Sequence, residues 1–256
     1  MTDALPTLVR VTVADGVRTI TLDSQHNRNA LSSTLVSQVL HAVAGAEDDD
    51  ASKVIVLQAE GPAFCSGADL KEMAAGGDEG RAAGTRGMLA VLRAIAASPC
   101  PVVARVHAPV RAGGIGMVAA CDVVVASTDA TFALTEVRLG LAPAIISLTV
   151  APRMHDRSRS LTWLTGQTFD GAAAVAHGLA TMSCAPDALD DTVAGVVAQL
   201  TKSPKQGLAE TKKLLSAAMV ADIDARGEEL AALSSSLFGS DVARESMMAF
   251  LNRGKS

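Results

Sequence analysis

The amino-acid sequence predicts an α/β fold that ends in an all-helical region. Strand and helix patterns alternate as far as residue 183, and only helical patterns follow residue 188. With 256 residues, of which 49% are hydrophobic, the chain is long enough to bury a sizeable core. We therefore predict an α/β core over residues 1–188 and a helical region over residues 189–256.

The first elements are predicted from hydrophobic periodicity and turn residues. Residues 8–14 and 17–22 alternate polar and apolar side chains around an Asp-Gly dipeptide, which predicts a β-hairpin. Apolar side chains at helical spacing predict a helix over residues 31–46. The β-branched run at residues 53–58 predicts a buried strand.

The remaining elements follow in the same way. Residues 72–87 are rich in glycine, alanine and charge, so we expect a mobile loop or a weak helix there. Strands are predicted over residues 101–106, 121–126 and 131–134, and helices over 88–97, from Gly113, and over 189–200, 204–219, 222–238 and 241–252.

Composition excludes several classes of function. Aromatic residues make up 2% of the chain and the net charge is -5, which argues against nucleic acid as a partner. The longest apolar stretches are interrupted by Asp122 or by prolines, so none predicts a membrane span. The four cysteines are widely spaced without a CxxC pair, which predicts reduced thiols in a cytoplasmic protein and no metal site.

Two segments carry main-chain groups suited to a ligand. In AFCSGADL (residues 63–70), small side chains permit close approach to the backbone, and Asp69 is placed to cap a helix; the alternative is an ordinary strand-to-helix turn. In AGGIG (112–116), a helix begins with N–H groups that suit an anion or a developing oxyanion. The second segment also passes for a degenerate dinucleotide fingerprint, although the preceding strand ends too early for one.

Glu136 is a candidate acid or base. It lies inside an apolar run, where burial would raise the pKa of its carboxyl group and make it useful near neutral pH. The alternative is an ion pair with Arg138 or with another cation.

These three segments resemble, in order and spacing, those of the crotonase (enoyl-CoA hydratase/isomerase) superfamily. The matching sequences are FCSGADLKEM (64–73), PVVARVHAPVRAGGIGMVAACDVVVAS (101–127) and ATFALTEVRLGLAP (130–143). The resemblance covers nearly the whole chain. It implies a ββα spiral core, a C-terminal helical trimerisation region, and a homo-oligomer that is a trimer or a hexamer.

The resemblance also implies roles for single residues. The N–H groups of Ala68 and Gly113 would bind the thioester oxygen of an acyl-CoA, which is a substrate and not a cofactor. The implied CoA contacts are Arg28, Cys65, Gly67, Ala68, Asp69, Leu70, Lys71, Phe250 and Arg253, the last two of them from a neighbouring subunit.

One departure from the family pattern leaves the reaction open. Family hydratases hold two glutamates against a water molecule, and this chain has Glu136 at one of these positions but Gly116 at the other. Three interpretations follow: a hydratase resembling bacterial methylglutaconyl-CoA-type enzymes, an isomerase that uses Glu136 alone, or an acyl-CoA-binding homologue with weak or no catalysis.

The acyl pocket is expected to contain Gly114, Gly116, Arg111 and Arg138. Arg111 would face an acidic acyl group such as a carboxylate; otherwise it is solvated or paired with Glu136. His107 is expected to make a structural hydrogen bond. Neither Cys65 nor Ser66 has the sequence context of a nucleophile.

Overall fold

The computed structural model describes residues 6–47 and 49–253, with side chains as far as Phe250. The strands are β1 (Val9–Ala14), β2 (Val17–Leu22), β3 (Val54–Ala59), β4 (Val102–Val106), β5 (Val110–Arg111), β6 (Val123–Ser127), β7 (Thr131–Ala133), β8 (Phe169–Asp170) and β9 (Met182–Cys184). The helices are α1 (Ser33–Ala44), α2 (Leu70–Ala75), α3 (Gly77–Ala97), α4 (Gly113–Ala120), α5 (Ser147–Val150), α6 (Asp156–Thr165), α7 (Gly171–Ala176), α8 (Leu189–Thr201), α9 (Lys205–Gly239) and α10 (Asp241–Arg253).

The predicted hairpin is confirmed as the edge of the main sheet. β1 and β2 pair antiparallel from Val9 opposite Leu22 to Ala14 opposite Val17. Asp15 and Gly16 both have positive φ, at 51° and 83°, as a tight two-residue hairpin turn requires.

The main sheet has six strands in the order β1-β2-β3-β4-β6-β9, and every pair after the hairpin is parallel. Its central strands are buried on both faces: Ile55 and Leu57 belong to the large core, whereas Val54 and Val56 pack with Val193 of α8. A continuous run of apolar residues in β3 is therefore the expected pattern for a doubly covered strand.

A smaller sheet in the order β5-β7-β8 positions the start of α4 and Glu136. β5 and β7 are parallel, with Arg111 opposite Ala133. The chain enters α4 after β5 and reaches Glu136 after β7. Because parallel strands end at the same edge of a sheet, the start of α4 and Glu136 lie on the same side of the molecule.

Residues 72–87, for which a mobile loop or a weak helix was expected, belong to α2 and α3, so the helix alternative is confirmed. The Asp69 carboxylate caps α2 by accepting the N–H groups of Lys71 and Glu72. α3 is stabilised by packing on α9, where a Cβ built on Gly227 would lie 2.7 Å from the Leu89 side chain. Tertiary packing thus outweighs the poor helix propensity of the glycines.

The predicted helices over 204–219 and 222–238 are one continuous helix, α9, of 35 residues. Lys212 anchors it to the core. Its ammonium group, 3% exposed, pairs with Asp122 at 2.8 Å and donates to the carbonyl oxygens of Ile95 and Cys100. From Leu189 onward the described elements are all helical.

Among the described residues, no helix combines the length and apolarity that a membrane crossing needs. The four cysteines are all free thiols, and three of them are buried.

Candidate active site

A cavity of about 1440 Å³ lies beside the start of α4. The three sequence segments meet in its wall, which contains Ala68, Gly113 and Glu136. Helices α2 and α3 form another part of the wall, and Ser234, Phe238 and Phe250 contribute from α9 and α10. The cavity is larger than a typical drug-sized pocket, so it can hold a long and partly apolar ligand.

Two main-chain N–H groups are available to a ligand in this wall. Neither Ala68 nor Gly113 donates its N–H to another group in the part of the chain that the structure describes. Each follows a residue with positive φ, Gly67 at 93° and Ala112 at 46°. Such paired donors suit the charge that develops on a carbonyl oxygen.

The backbone around these donors is held in place by its other hydrogen bonds. The Gly67 carbonyl accepts the N–H of Leu31 at 2.8 Å, and Ala112 donates to the Ala133 carbonyl at 3.2 Å. A Cβ built on Gly113 would lie 2.8 Å from Cδ1 of Leu31, so a side chain at this position would require Leu31 to move. The donors therefore belong to a tightly packed and pre-organised backbone.

Glu136 lies on the same cavity with its carboxylate buried, and the residue is only 9% exposed. Its Oε2 accepts no hydrogen bond from the described residues. Burial raises the pKa of the Glu136 carboxyl group to about 7, although a hydrogen bond from its own main-chain N–H acts in the opposite direction. A group of this kind can both take and give a proton near neutral pH.

Arg138, the ion-pair partner considered for Glu136, forms a hydrogen bond with another residue. Arg138 is exposed and donates from Nε to the Thr165 carbonyl at 3.2 Å. No ion pair to Glu136 exists among the described residues, so the ion-pair interpretation is wrong. Arg138 does line the cavity.

The position of the missing second glutamate is filled by apolar side chains. A Cβ built on Gly116 would lie 2.5 Å from Cγ2 of Ile146 and 3.4 Å from Leu92. The Gly116 carbonyl accepts the Thr149 hydroxyl at 3.0 Å. Gly116 is therefore buried against α5 and its neighbours and does not line the cavity, contrary to the sequence prediction.

Gly114 and Cys65 also lie behind the cavity wall. A Cβ built on Gly114 would lie 2.7 Å from Cβ of Cys65, so the two residues pack on each other and line no part of the cavity. Burial raises the pKa of the Cys65 thiol to about 12, which keeps it protonated. Gly114 is thus a packing residue, contrary to its prediction as a pocket residue.

Arg111 lines the cavity but is neither fully solvated nor paired with Glu136. Its Nη1 donates to the carbonyl oxygens of Val110 and Thr131, at 2.9 and 2.7 Å, and its Nη2 donates to the Thr131 hydroxyl at 2.9 Å. Partial burial lowers the pKa of the guanidinium. Recognition of an acyl carboxylate by Arg111 stays a prediction.

The predicted CoA contacts divide into three groups. Arg28, Leu70, Lys71 and Phe250 line the cavity, and Phe250 does so from the same chain, although it was expected to come from a neighbouring subunit. Asp69 also lines it, but its carboxylate caps α2 and accepts a hydrogen bond from Asn27. Gly67 lies behind the wall with Cys65, whereas the side chain of Arg253, the last residue of α10, falls outside the described residues.

Sequence reasoning missed several lining residues of α2 and α3. These are Glu72, Met73, Gly84, Thr85 and Met88. Gly84 and Met88 are four residues apart, and this helical spacing was the available signal, but the sequence leaves the choice between a mobile loop and a weak helix open there. His107 makes the structural hydrogen bond that was expected, donating from Nε2 to the Gly61 carbonyl at 2.9 Å.

Comparison with known proteins assigns the family. The sequence profile of the enoyl-CoA hydratase/isomerase family matches residues 12–256. The chain belongs to this family. A crystal structure of an enoyl-CoA hydratase from Mycobacterium avium has 42% sequence identity and a TM-score of 0.90, covering 97% of this chain and 98% of that one.

Curated relatives agree with this assignment. The mitochondrial enoyl-CoA hydratase domain-containing protein 3 of Rattus norvegicus is 35% identical over 77% of this chain and 67% of its own length. The hydroxycinnamoyl-CoA hydratase-lyase of Pseudomonas fluorescens is 31% identical over 67% of this chain and 64% of its own length. The crotonase-like fold of this family member is therefore confirmed, and its reaction must be argued from the site.

Proposed function

We propose that this family member adds water to a 2-enoyl-CoA thioester. The observation that carries the proposal is that the buried Glu136 carboxylate, which has no ion pair to a described residue, lies on the same cavity as two main-chain N–H groups that donate to none of the described residues. The thioester oxygen would accept the N–H groups of Ala68 and Gly113, and Glu136 would exchange the proton.

The chemistry follows from where charge develops. Attack of water at Cβ moves negative charge onto the thioester oxygen, and each aligned donor stabilises this charge by about 3 kcal/mol. Glu136 takes a proton from the attacking water and returns one to Cα. The pKa of about 7 for its carboxyl group suits both steps, because neither protonation state is strongly favoured at neutral pH.

Two relatives are named for hydration, which supports this reaction. The solved Mycobacterium avium protein is called an enoyl-CoA hydratase, and the Pseudomonas fluorescens relative a hydratase-lyase. Resemblance to methylglutaconyl-CoA-type enzymes supports the same reaction, and in that case Arg111 would bind the acyl carboxylate.

A second candidate is double-bond isomerisation, and the packing of Gly116 favours it. Because Ile146 and Leu92 surround Gly116, no carboxylate can hold water there. An isomerase needs one base that removes a proton at one carbon and returns it at another, and Glu136 meets this need.

Assembly and location remain proposals as well. α9 exposes Leu214 and Leu215, at 80% and 76%, and such apolar side chains suit contact with a second copy in a trimer or a hexamer. The free cysteines fit the reduced state expected of a cytoplasmic protein.

Product analysis in D2O separates the candidate reactions. The purified protein is incubated with 2-enoyl-, 3-enoyl- and methylglutaconyl-CoA esters, and the products are measured by mass spectrometry. A 2-enoyl ester that gains one molecule of solvent water, with deuterium at Cα, supports hydration. Double-bond migration without added water would make the protein an isomerase. If every ester bound but none changed, the protein would be an acyl-CoA-binding homologue.

A further inference from the structure

We propose that Met73 and Gly84 together set the length of the acyl chain that the cavity accepts. The inference rests on the proposed function, because it assumes that a thioester carbonyl occupies the two donors. It names two specificity-determining residues on α2 and α3, where the cavity wall is formed by flexible and small side chains.

Gly84 lies one helical turn from Met88, a residue that is close to one of the two main-chain donors. A Cβ built on Gly113 would lie 3.6 Å from Sδ of Met88, so Met88 is adjacent to one donor. Gly84 precedes Met88 by four residues on the same helix, a displacement of about 6 Å along α3. Both residues line the cavity. An acyl chain that runs along α3 from the thioester thus reaches Gly84 after a few methylenes.

In the opposite direction along α3, the cavity does not continue past Met88. Leu92, four residues after Met88, packs with Ile146 around Gly116 and does not line the cavity. Leu92 is also fully buried. Within the described residues, the space beside α3 therefore continues from Met88 toward Gly84 and not toward Leu92.

The Met73 side chain closes the cavity beside Gly84. A Cβ built on Gly84 would lie 3.0 Å from Sδ of Met73, so the Met73 thioether covers the glycine. Met73 is 8% exposed and belongs to α2, whose backbone is fixed at its start by the Asp69 cap. The Glu72 carboxylate adds a second restraint, since it accepts the N–H of Ser33 at 2.9 Å. The Met73 side chain can change rotamer, but its backbone is held.

The chemistry of this part of the wall selects an apolar chain. Met73 and Met88 offer polarizable thioethers, and Val36 and Leu70 line the same cavity. A charged acyl terminus placed between these side chains would lose its hydration without gaining a partner. Arg111 lies on a different segment of the wall, with its guanidinium hydrogen-bonded to Thr131.

Two substitutions should change chain length in opposite directions. Gly84→Val narrows the cavity, and we expect it to weaken binding of decanoyl-CoA but not of butyryl-CoA. Because each buried methylene contributes roughly fourfold to affinity, exclusion of two methylenes should cost roughly 15-fold. Met73→Ala removes the thioether and should strengthen binding of decanoyl-CoA relative to butyryl-CoA.

Gly80→Val is the matched control. Gly80 lies one turn earlier on α3, has open space where its Cβ would be, and does not line the cavity. It makes the same change in side chain and in helix propensity as Gly84→Val. We expect it to leave the ratio of the two affinities at the wild-type value.

The measurement is titration calorimetry of the full chain with saturated butyryl-, hexanoyl- and decanoyl-CoA, which bind without turnover. The proposal holds if Gly84→Val and Met73→Ala move the chain-length profile in opposite directions while Gly80→Val does not. It is overturned if neither cavity variant changes the profile, if the control moves it equally, or if wild type binds no acyl-CoA. If the protein bound these saturated esters but left 2-enoyl- and 3-enoyl-CoA esters unchanged, only the proposed reaction would be contradicted.

Discussion

Replacement of Glu136 by glutamine tests the buried carboxylate by two independent measurements. The variant keeps the shape of the side chain but cannot ionise. Raising a carboxyl pKa from 4.5 to about 7 corresponds to about 3 kcal/mol of folding free energy, at about 1.4 kcal/mol for each pKa unit. This is an upper value, since relaxation of the site and entry of water reduce it.

The sign of the pH dependence follows from proton binding. The raised pKa means that the folded protein binds this proton more tightly than the unfolded chain does. Wild type therefore loses stability relative to Glu136→Gln as pH rises from about 4.5 to about 7, and the difference is constant above this range. Comparison of the two proteins removes the contribution of all other titrating groups that they share.

Urea denaturation at several pH values between 4 and 8 measures this difference. Glu210→Gln, which removes an exposed carboxylate from α9 outside the cavity, is the control for loss of one negative charge. A difference between wild type and Glu136→Gln that did not change with pH would refute the claim that burial perturbs this carboxyl group.

The same variant tests the chemical role. We expect the turnover rate to fall by about 10²- to 10⁴-fold, the usual contribution of a general acid or base, while CoA affinity is unchanged. Turnover close to that of wild type would show that Glu136 does not transfer the proton.

Three further substitutions test the packing around the site. Lys212→Met leaves the Asp122 carboxylate with the Val102 N–H but without its cationic partner, so we expect urea denaturation to show a loss of about 3 kcal/mol in unfolding free energy. Ala112→Gly removes a side chain from a backbone with φ of 46°, so the midpoint of thermal unfolding should stay equal or rise, whereas alanine-to-glycine changes usually lower it. Gly116→Glu should lower the unfolding free energy by about 3 kcal/mol, since the new side chain overlaps Ile146; a stable variant with higher hydration activity would show that this wall can yield.

Local patterns were enough to predict much of the core. Alternation around Asp15 and Gly16 predicted the hairpin, and β-branched runs predicted β3 and β4, because these signals depend on neighbours in the chain. The same reasoning left both a mobile loop and a weak helix open over residues 72–87, where contact with α9 stabilises the helix. It also divided α9 in two.

The sequence by itself determined the family and the order of its chemical segments, and it placed Glu136 within an apolar run. The tertiary structure decided what surrounds each residue. It left Glu136 without an ion pair to any described residue, filled the space at Gly116 with Ile146, and bonded Arg111 to Thr131. These contacts join residues far apart in the chain, and which side chains meet depends on packing that no local pattern records.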